Sequence, residues 1–218
     1  MIYRNSKEAL AFQNPLVTKI KQKRYIKYFN KDELVVDLGC GNGLFLELLK
    51  ENSIKGIGID ILADSIKNCK DKQFEAYEDD VINFLKNFNK TVDGIFCSHI
   101  VEHLLPQDLV ELFSLAYKCL LPNGKFIIIT PNPKDLNVLR DIFWQDISHI
   151  RPYPLLALEN LGITKGFSII DKGEEPVFFN PFIKGTNRKG ILVGYLKKIL
   201  SFGLFNRGDL FIVMQKPL

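Results

Sequence analysis

The sequence is poor in the features that mark disulfide-stabilised, metal-binding or membrane-spanning proteins. No two of its four cysteines are spaced as C-x-x-C, and all four stand in core-like positions: Cys40, Cys69, Cys97 and Cys119. This pattern predicts reduced, unpaired thiols in a cytoplasmic protein and argues against a metal site. No apolar run reaches the roughly 18 residues that cross a bilayer. Residues 1–7 contain no apolar signal core, so we expect no secretion signal.

An excess of charge of one sign is also missing. The formal net charge is +4, and lysines and arginines are spread along the chain except in residues 19–24. We interpret that basic run as a solvated helix face, with a phosphate-facing patch as the alternative, and expect no nucleic-acid partner. Apolar residues make up 46% of the 218 residues. This suits one α/β domain over residues 31–218, preceded by a helical extension over residues 1–30.

The most informative stretch is residues 34–43, Leu-Val-Val-Asp-Leu-Gly-Cys-Gly-Asn-Gly. Its first three residues predict a buried strand, with Asp37 at the carboxyl end. A loop without large side chains follows, and it contains Gly39, Cys40, Gly41 and Gly43. An amphipathic helix begins directly afterwards, at Leu44. A strand, a glycine loop and a helix N-terminus together form the ligand cradle of open α/β sheets.

The glycine spacing separates two classes of ligand. A dinucleotide fingerprint, G-x-G-x-x-G, would need a glycine at Leu44, whereas this chain reads D-x-G-x-G-x-G from Asp37. A pyrophosphate beside the Asp37 carboxylate is electrostatically unfavourable, while a ligand with a cationic amine and a sulfonium is favoured. The stretch resembles the first motif of the class I S-adenosylmethionine-dependent methyltransferases. Dinucleotide binding and a turn without a ligand are the alternatives.

The resemblance implies an α/β, Rossmann-like class I methyltransferase fold. Such a fold has a seven-stranded, mostly parallel sheet with an antiparallel last strand and helices on both faces. The hydrophobic pattern places strands at residues 34–38, 54–59, 73–77, 92–97, 125–130, 166–171 and 209–215. It places helices near residues 15–29, 44–51, 63–70, 106–120, 135–143 and 155–161, and a turn at 122–124.

Acidic residues after the second and third strands are the next candidates for cofactor contacts. Asp60 lies 21 residues after Gly39, where a ribose-binding carboxylate stands in βαβ nucleotide sites, although it could instead cap the next helix. The resemblance implies that Asp80, or else Asp79, binds the adenine amino group beside the backbone of Val81. An N-cap role is the alternative for Asp80. Ile61 and Ser98 complete the predicted cofactor-binding set, with Asp37, Gly39, Cys40, Gly41 and Gly43.

The chain has only three histidines, and the predicted fold brings all of them to one cleft. His99 and His103 follow the fourth strand in the run Ser-His-Ile-Val-Glu-His-Leu, which resembles the fourth motif of these methyltransferases. His149 lies in the segment after the fifth strand. Histidine suits a general base because its pKa is near working pH, so we predict catalytic roles for these three residues. A structural histidine is the alternative for each.

Residues 131–153 follow a sheet strand at the ligand side and are predicted to form an acceptor loop. The run Phe-Trp-Gln-Asp-Ile-Ser-His-Ile-Arg-Pro-Tyr at 143–153, with Gln-Lys-Arg-Tyr at 22–25, resembles methyltransferases found with bacterial surface-polysaccharide and O-antigen glycosyltransferases. The resemblance implies a small-molecule or glycan acceptor, methylated at a sugar hydroxyl or sugar phosphate. The predicted acceptor-binding residues are Tyr25, Trp144, Arg151 and Tyr153. Asn42 departs from the family's usual arginine or lysine.

Three other functions stay open. Quinone-precursor and other small-molecule O-methyltransferases share the Glu-His-Leu run that this chain has at 102–104. A nicotinamide-dependent reductase is disfavoured by the missing third glycine and by Asp37. A non-catalytic S-adenosylmethionine-binding module is disfavoured by the intact glycine loop, Asp60 and the histidines.

The predicted C-terminal insertion covers residues 173–208 and contains an apolar stretch at 191–205. The helical spacing of its apolar residues predicts a face that covers the sheet. The alternative is a peripheral contact with the inner face of a membrane that carries a lipid-linked acceptor, without spanning it. The sequence does not specify the oligomeric state.

Overall fold

A seven-stranded sheet organises the protein, of which the computed structural model describes residues 15–176 and 207–218. The strand order is β3-β2-β1-β4-β5-β7-β6, and β7 is antiparallel to both of its neighbours. The other six strands are parallel to one another, which confirms the predicted fold class. The strands are β1 Leu34–Leu38, β2 Lys55–Asp60, β3 Glu75–Glu78, β4 Val92–Ser98, β5 Leu120–Thr130, β6 Ser168–Glu174 and β7 Leu210–Gln215.

Helices flank the sheet on both faces. The α-helices of the described residues are α1 Pro15–Lys23, α2 Leu44–Glu51, α3 Ala63–Asp71, α4 Val81–Asn87, α5 Pro106–Cys119, α6 Leu136–Arg140 and α7 Leu155–Thr164. Short 3-10 helices occupy Ile26–Tyr28, Val101–His103 and Ile142–Gln145. The four cysteines are buried as free thiols, as predicted.

Alternating side chains of the central strands build two separate cores. Val35 and Phe96 pack on one face with residues of α2 and α3, while Val36 and Ile95 pack on the other with residues of α4, α5 and α7. This alternation follows from the two-residue period of a strand. Because both faces of β1 and β4 are buried, their carboxyl ends are held rigidly, and the site lies at those ends.

The N-terminal extension differs from the single predicted helix over 15–29. Helix α1 ends at Lys23, and its apolar residues Leu16 and Ile20 are 63% and 47% exposed. The buried residues are Tyr25 and Phe29, which follow the helix. A Cβ at Gly94 of β4 would lie 2.2 Å from the Phe29 ring, so the ring occupies the space that this glycine leaves. Packing of these two rings on the sheet therefore outweighs continuation of the helix.

The two largest differences from the predicted strand boundaries are at the start of β5 and the end of β6. Strand β5 begins at Leu120 and includes residues 122–124, which were expected to form only a turn. Asn123 nevertheless has a positive φ of 65°, which is typical of a turn. Strand β6 continues to Glu174, beyond the expected start of the insertion at 173. The predicted apolar face at 191–205 and its membrane contact lie outside the described residues. Among the helices that are described, none has the length and apolar character needed to cross a membrane.

Candidate active site

The glycine loop between β1 and α2 uses its three glycines in two ways. All three have positive φ, from 51° to 80°, a conformation that favours glycine. A Cβ at Gly39 would lie 2.2 Å from Ile100, and one at Gly43 would lie 3.0 Å from the Cys69 sulfur. A Cβ at Gly41 would meet nothing within 4 Å. Gly39 and Gly43 therefore permit close packing, whereas Gly41 borders the open space in which a ligand fits.

Asp60, at the carboxyl end of β2, is hydrogen-bonded to the glycine loop. Its side chain is buried, and its two oxygens accept the backbone N–H of Gly41 and of Leu62, each at 2.9 Å. Helix α3 has Leu62 as its N-cap residue, so Asp60 does not occupy the capping position. Each carboxylate oxygen has a second lone pair that can accept a ribose hydroxyl. The position is therefore compatible with the predicted ribose role.

Asp37, at the end of β1, is a buried carboxyl group that is 3% exposed. Burial, together with the neighbouring Cys69 and Asp60, raises the pKa of Asp37 well above its ordinary value. Within residues 15–176 and 207–218, no hydrogen-bond donor or cation contacts this carboxyl group. A cationic amine placed against it would favour the carboxylate form. The chemistry of this position fits the cationic cofactor that the sequence predicts.

The two acidic residues that follow β3 have structural hydrogen bonds. Asp80 is the N-cap of α4, where Oδ1 accepts the backbone N–H of Ile82 at 2.9 Å and of Asn83 at 3.1 Å. Asp79 accepts the Asn83 side-chain amide at 2.8 Å, and its own N–H donates to the Asp60 carbonyl at 3.1 Å. The capping alternative for Asp80 is thus observed. Adenine binding by either residue stays a prediction, as do contacts of Ile61, Val81, Ser98 and Cys40.

His99 lies between two carboxylates, which disfavours its predicted role as a base. His99 has a left-handed backbone, with φ of 57°. Its Nδ1 lies 3.2 Å from Glu102 Oε1, and its Nε2 lies 3.7 Å from Asp209 Oδ2. Burial lowers the pKa of His99, but the hydrogen bond to Glu102 and the charge of Asp209 outweigh it and raise the pKa to about 9. This pKa favours the imidazolium form of His99 at neutral pH, and an imidazolium does not accept a proton.

Sequence reasoning missed Glu102, which connects the strand ends to the acceptor loop. Its side chain is fully buried, and its second oxygen accepts the Thr130 hydroxyl at 3.0 Å. Its backbone carbonyl accepts the N–H groups of Ile150 at 2.9 Å and Arg151 at 3.3 Å. Burial raises the pKa of Glu102, but His99 more than offsets this, and the pKa is lowered overall. The only sequence signal was its position directly before His103.

His103 and His149 come together as a pair whose ring centroids are 4.5 Å apart. His149 Nδ1 lies 2.5 Å from the Phe143 carbonyl oxygen, which can only accept a hydrogen bond, so this nitrogen carries a proton. His103 Nδ1 lies 3.0 Å from the Ser148 hydroxyl. The predicted meeting of the acceptor loop with the fourth-strand segment is thus present in the structure.

Metal binding was not predicted at this cluster, although its spacing is compatible with an ion. Glu102, His103 and His149 each place a ligand atom within 4.8 Å of the others. Both oxygens of Glu102 already accept hydrogen bonds, one of them from the His99 imidazolium. A metal ion would have to compete with that buried charge pair. We therefore interpret the two histidines as a proton-transfer pair rather than as metal ligands.

Comparisons with known proteins give the family. Residues 13–172 match the family model described as a methyltransferase domain. The chain belongs to the methyltransferase-domain family. A crystal structure of an S-adenosylmethionine-dependent methyltransferase from Archaeoglobus fulgidus is 34% identical, with a TM-score of 0.75, and the match covers 93% of this chain and 95% of that one. The N-methyltransferase NodS from Bradyrhizobium japonicum, at 13% identity and a TM-score of 0.63 over 93% and 96% of the two chains, shares the fold.

A curated relative matches a shorter part of the chain. The mitochondrial ubiquinone biosynthesis O-methyltransferase of Bos taurus is 30% identical over 128 residues, which are 54% of this chain and 34% of that protein. The chain thus spans about a third of the length of the ubiquinone-biosynthesis relatives that it matches. The predicted class I methyltransferase family and fold are confirmed, and the relatives' names agree with the predicted cofactor, S-adenosylmethionine.

The acceptor loop of this methyltransferase exposes only part of the predicted acceptor set. Trp144 is 56% exposed, and its indole N–H donates to the Leu139 carbonyl at 2.8 Å. Arg151 is exposed, with its guanidinium 5.1 Å from the centre of the Tyr153 ring. Tyr153 is 4% exposed and donates its hydroxyl to the Leu104 carbonyl at 3.0 Å. Trp144 and Arg151 stay candidates for acceptor contacts, whereas Tyr153 packs the loop onto the domain.

Tyr25 also has a structural place in this methyltransferase. It is 1% exposed, with its ring against Phe96 and Phe211, and it donates its hydroxyl to Glu175 at 2.6 Å. Glu175 also lies 3.4 Å from the Lys21 ammonium, which donates to Asp209 at 2.9 Å. Tyr25 thus belongs to a buried polar network between α1 and the end of β6. We remove Tyr25 and Tyr153 from the proposed acceptor contacts for this reason.

Proposed function

We propose that this protein transfers a methyl group from S-adenosylmethionine to a hydroxyl group of a small organic acceptor. The observation that supports this most is the His103–His149 pair, held 4.5 Å apart at the carboxyl end of β4. That segment adjoins the glycine loop, since Ile100 occupies the space beside Gly39. A base next to the cofactor cradle is useful for a hydroxyl acceptor, which must lose a proton.

The residues present fit the cofactor. The open space at Gly41 would take the body of the ligand, Asp37 would face its cationic amine, and Asp60 would accept the ribose hydroxyls. When bound, S-adenosylmethionine supplies an already activated methyl group on a sulfonium. Asp79 and Asp80 each accept two hydrogen bonds at Oδ1, so both stay candidates for binding the adenine amino group through Oδ2.

The acceptor side of the site has two tasks. It must hold the acceptor oxygen in line with the methyl group, and it must take up the hydroxyl proton. His149 is fixed by the Phe143 carbonyl and His103 by Ser148, so both rings are oriented before an acceptor arrives. Trp144 and Arg151 supply exposed apolar and cationic surface on the same loop.

Two acceptor classes follow from two different observations. The motif at residues 143–153 supports a sugar hydroxyl or sugar phosphate in surface-glycan synthesis, and Arg151 suits a phosphate on such an acceptor. The names of the curated relatives support a phenolic quinone precursor as the alternative. The histidine pair is compatible with either hydroxyl, while a phosphate oxygen would not need it.

The test is a methyl-transfer screen over nucleotide sugars, lipid-linked glycans and dihydroxylated quinone precursors. Binding of S-adenosylhomocysteine and of NAD is measured by calorimetry on the same protein. We expect binding of the first ligand alone, and transfer to one hydroxyl class that falls about 10²- to 10⁴-fold in His103→Ala or His149→Ala. Binding without transfer to any acceptor would favour a non-catalytic module, and binding of NAD would favour a reductase.

A further inference from the structure

A chain of hydrogen bonds runs from His103 to a carboxylate that the reaction described above does not use. His103 Nδ1 lies 3.0 Å from Ser148 Oγ, and Ser148 Oγ lies 2.6 Å from Asp146 Oδ1. The Ser148 backbone N–H donates to the same oxygen at 2.8 Å. Burial raises the pKa of Asp146, but these two hydrogen bonds and the nearby histidines more than offset this and lower it overall. Asp146 is therefore an anion.

The hydrogen bonds from His103 to Ser148 and from Ser148 to Asp146 determine the tautomer of His103. A carboxylate only accepts hydrogen bonds, so the single hydroxyl proton of Ser148 is donated to Asp146. The hydroxyl oxygen can then only accept from His103, which requires a proton on His103 Nδ1. In the neutral ring, Nε2 is consequently the nitrogen that accepts a proton.

The Nδ1 atoms of the two histidines have different hydrogen-bond partners. His149 donates to the neutral carbonyl of Phe143, whereas His103 is connected through one hydroxyl to the charge of Asp146. An anion within this range favours an imidazolium. Glu102 also lies next to His103, and because Glu102 is paired with the His99 cation, those two charges largely cancel. Because the rings are 4.5 Å apart, protonation of one disfavours protonation of the other.

We propose that Asp146 and Ser148 are positioning residues that hold His103 in the tautomer whose Nε2 takes up the acceptor's proton. This rests on the proposed function. As the acceptor O–H bond breaks, its proton binds His103 Nε2 and its electron pair forms the bond to the methyl carbon, while the carbon–sulfur electron pair stays on sulfur. The resulting imidazolium is stabilised by Asp146 through Ser148.

The first test needs no acceptor. NMR of ¹⁵N-histidine-labelled full-length protein reads the tautomer and pKa of each histidine in the wild type, Asp146→Asn and Ser148→Ala. We expect His103 to carry its proton on Nδ1 in the wild type, and its pKa to fall by about 0.5 to 1 in both variants. Asp141→Asn, which removes an exposed charge from the same loop, is the matched control and should leave His103 unchanged.

The second test uses whichever hydroxyl acceptor the screen identifies. Both variants should lower kcat about tenfold, move the acidic limb of the pH profile to lower pH and leave the KM for S-adenosylmethionine unchanged. Unaltered kcat with a shifted His103 signal, or a His103 pKa that falls in neither variant, would overturn the assignment. A chelator that shifts both histidine signals in the wild type would show a bound metal and overturn it too. Failure of the whole screen would instead contradict the proposed function.

Discussion

The cofactor side of this site is formed mainly by backbone groups, and the acceptor side is formed mainly by side chains. On the cofactor side, backbone groups dominate: Gly39 and Cys40 donate N–H groups to the Ile59 carbonyl, and Gly41 donates to Asp60. On the acceptor side, side chains dominate, and those of Glu102 and His103 are hydrogen-bonded to residues 28 and 45 positions further along the chain. The first side is local to one βαβ unit, and the second is assembled across the sheet.

This difference determines how each side can be disrupted. The glycine loop tolerates most substitutions of neighbouring residues, but it does not tolerate an added side chain at the glycines themselves. A buried polar network fails when any one member is lost, because the remaining partners keep their desolvation cost. We therefore expect the largest stability effects on the acceptor side and the most selective binding effects on the cofactor side.

The largest effect is expected from Glu102→Ala. The substitution leaves the His99 imidazolium and the Thr130 hydroxyl without their acceptor in a fully buried position. We expect a loss of about 3 to 5 kcal/mol in the free energy of unfolding, measured by urea denaturation. Glu111→Ala is the matched control, because its pair with Lys86 is exposed and should contribute less than about 1 kcal/mol. Equal losses in the two variants would contradict the buried network.

The next effect separates two glycines of one loop. In Gly39→Val, the new side chain meets Ile100 and the residue is held at a φ of 77°, so we expect a stability loss of about 2 to 4 kcal/mol. Gly41→Val should cost only about 1 kcal/mol, because its Cβ points into open space. Calorimetry should nevertheless find S-adenosylmethionine binding abolished in Gly41→Val. Retained binding in Gly41→Val would show that S-adenosylmethionine does not bind beside Gly41.

The same contrast explains what the sequence could predict. Strand β1 and helix α2 were predicted with their observed bounds, Leu34–Leu38 and Leu44–Glu51, because a hydrophobic run, three glycines and an amphipathic run follow one another directly. The antiparallel last strand followed from the family resemblance. The positions of Asp37, Gly41 and Asp60 around one cradle required only the carboxyl ends of adjacent parallel strands.

The acceptor side was harder to predict because its contacts join residues that are far apart in sequence. Proximity of the three histidines was predicted, but their charge states were not. His99 differs from His103 because Asp209, 110 positions later, and Glu102 both face it. Nothing local in the sequence indicated that Tyr25 and Tyr153 would be buried with their hydroxyls donated to Glu175 and Leu104.

A pH titration of stability tests the charge of His99. Its folded pKa of about 9 lies above the ordinary value of 6.5, so protonation stabilises the folded state. The stabilisation, about 2 to 3 kcal/mol, is fully present below pH 6.5 and is lost as the pH rises to about 9. His99→Asn, which tolerates the left-handed backbone, should be less stable at pH 6 and show a shallower decline. A wild-type stability that does not fall between pH 6.5 and 9 would contradict the charge.

The smallest effect is expected from Asp60→Asn, on the cofactor side. The amide keeps one acceptor oxygen for the Gly41 or Leu62 N–H but loses the charge and one acceptor for the ribose. We expect S-adenosylmethionine affinity to fall by about 1 to 2 kcal/mol, roughly five- to thirtyfold, with calorimetry as the measurement. Asp64→Asn, an exposed change at the start of α3, is the control and should leave the affinity unchanged. A matching loss with adenosine, but none with methionine, would assign the effect to the ribose. Unchanged affinity in Asp60→Asn, with the fold intact by circular dichroism, would limit Asp60 to holding the glycine loop.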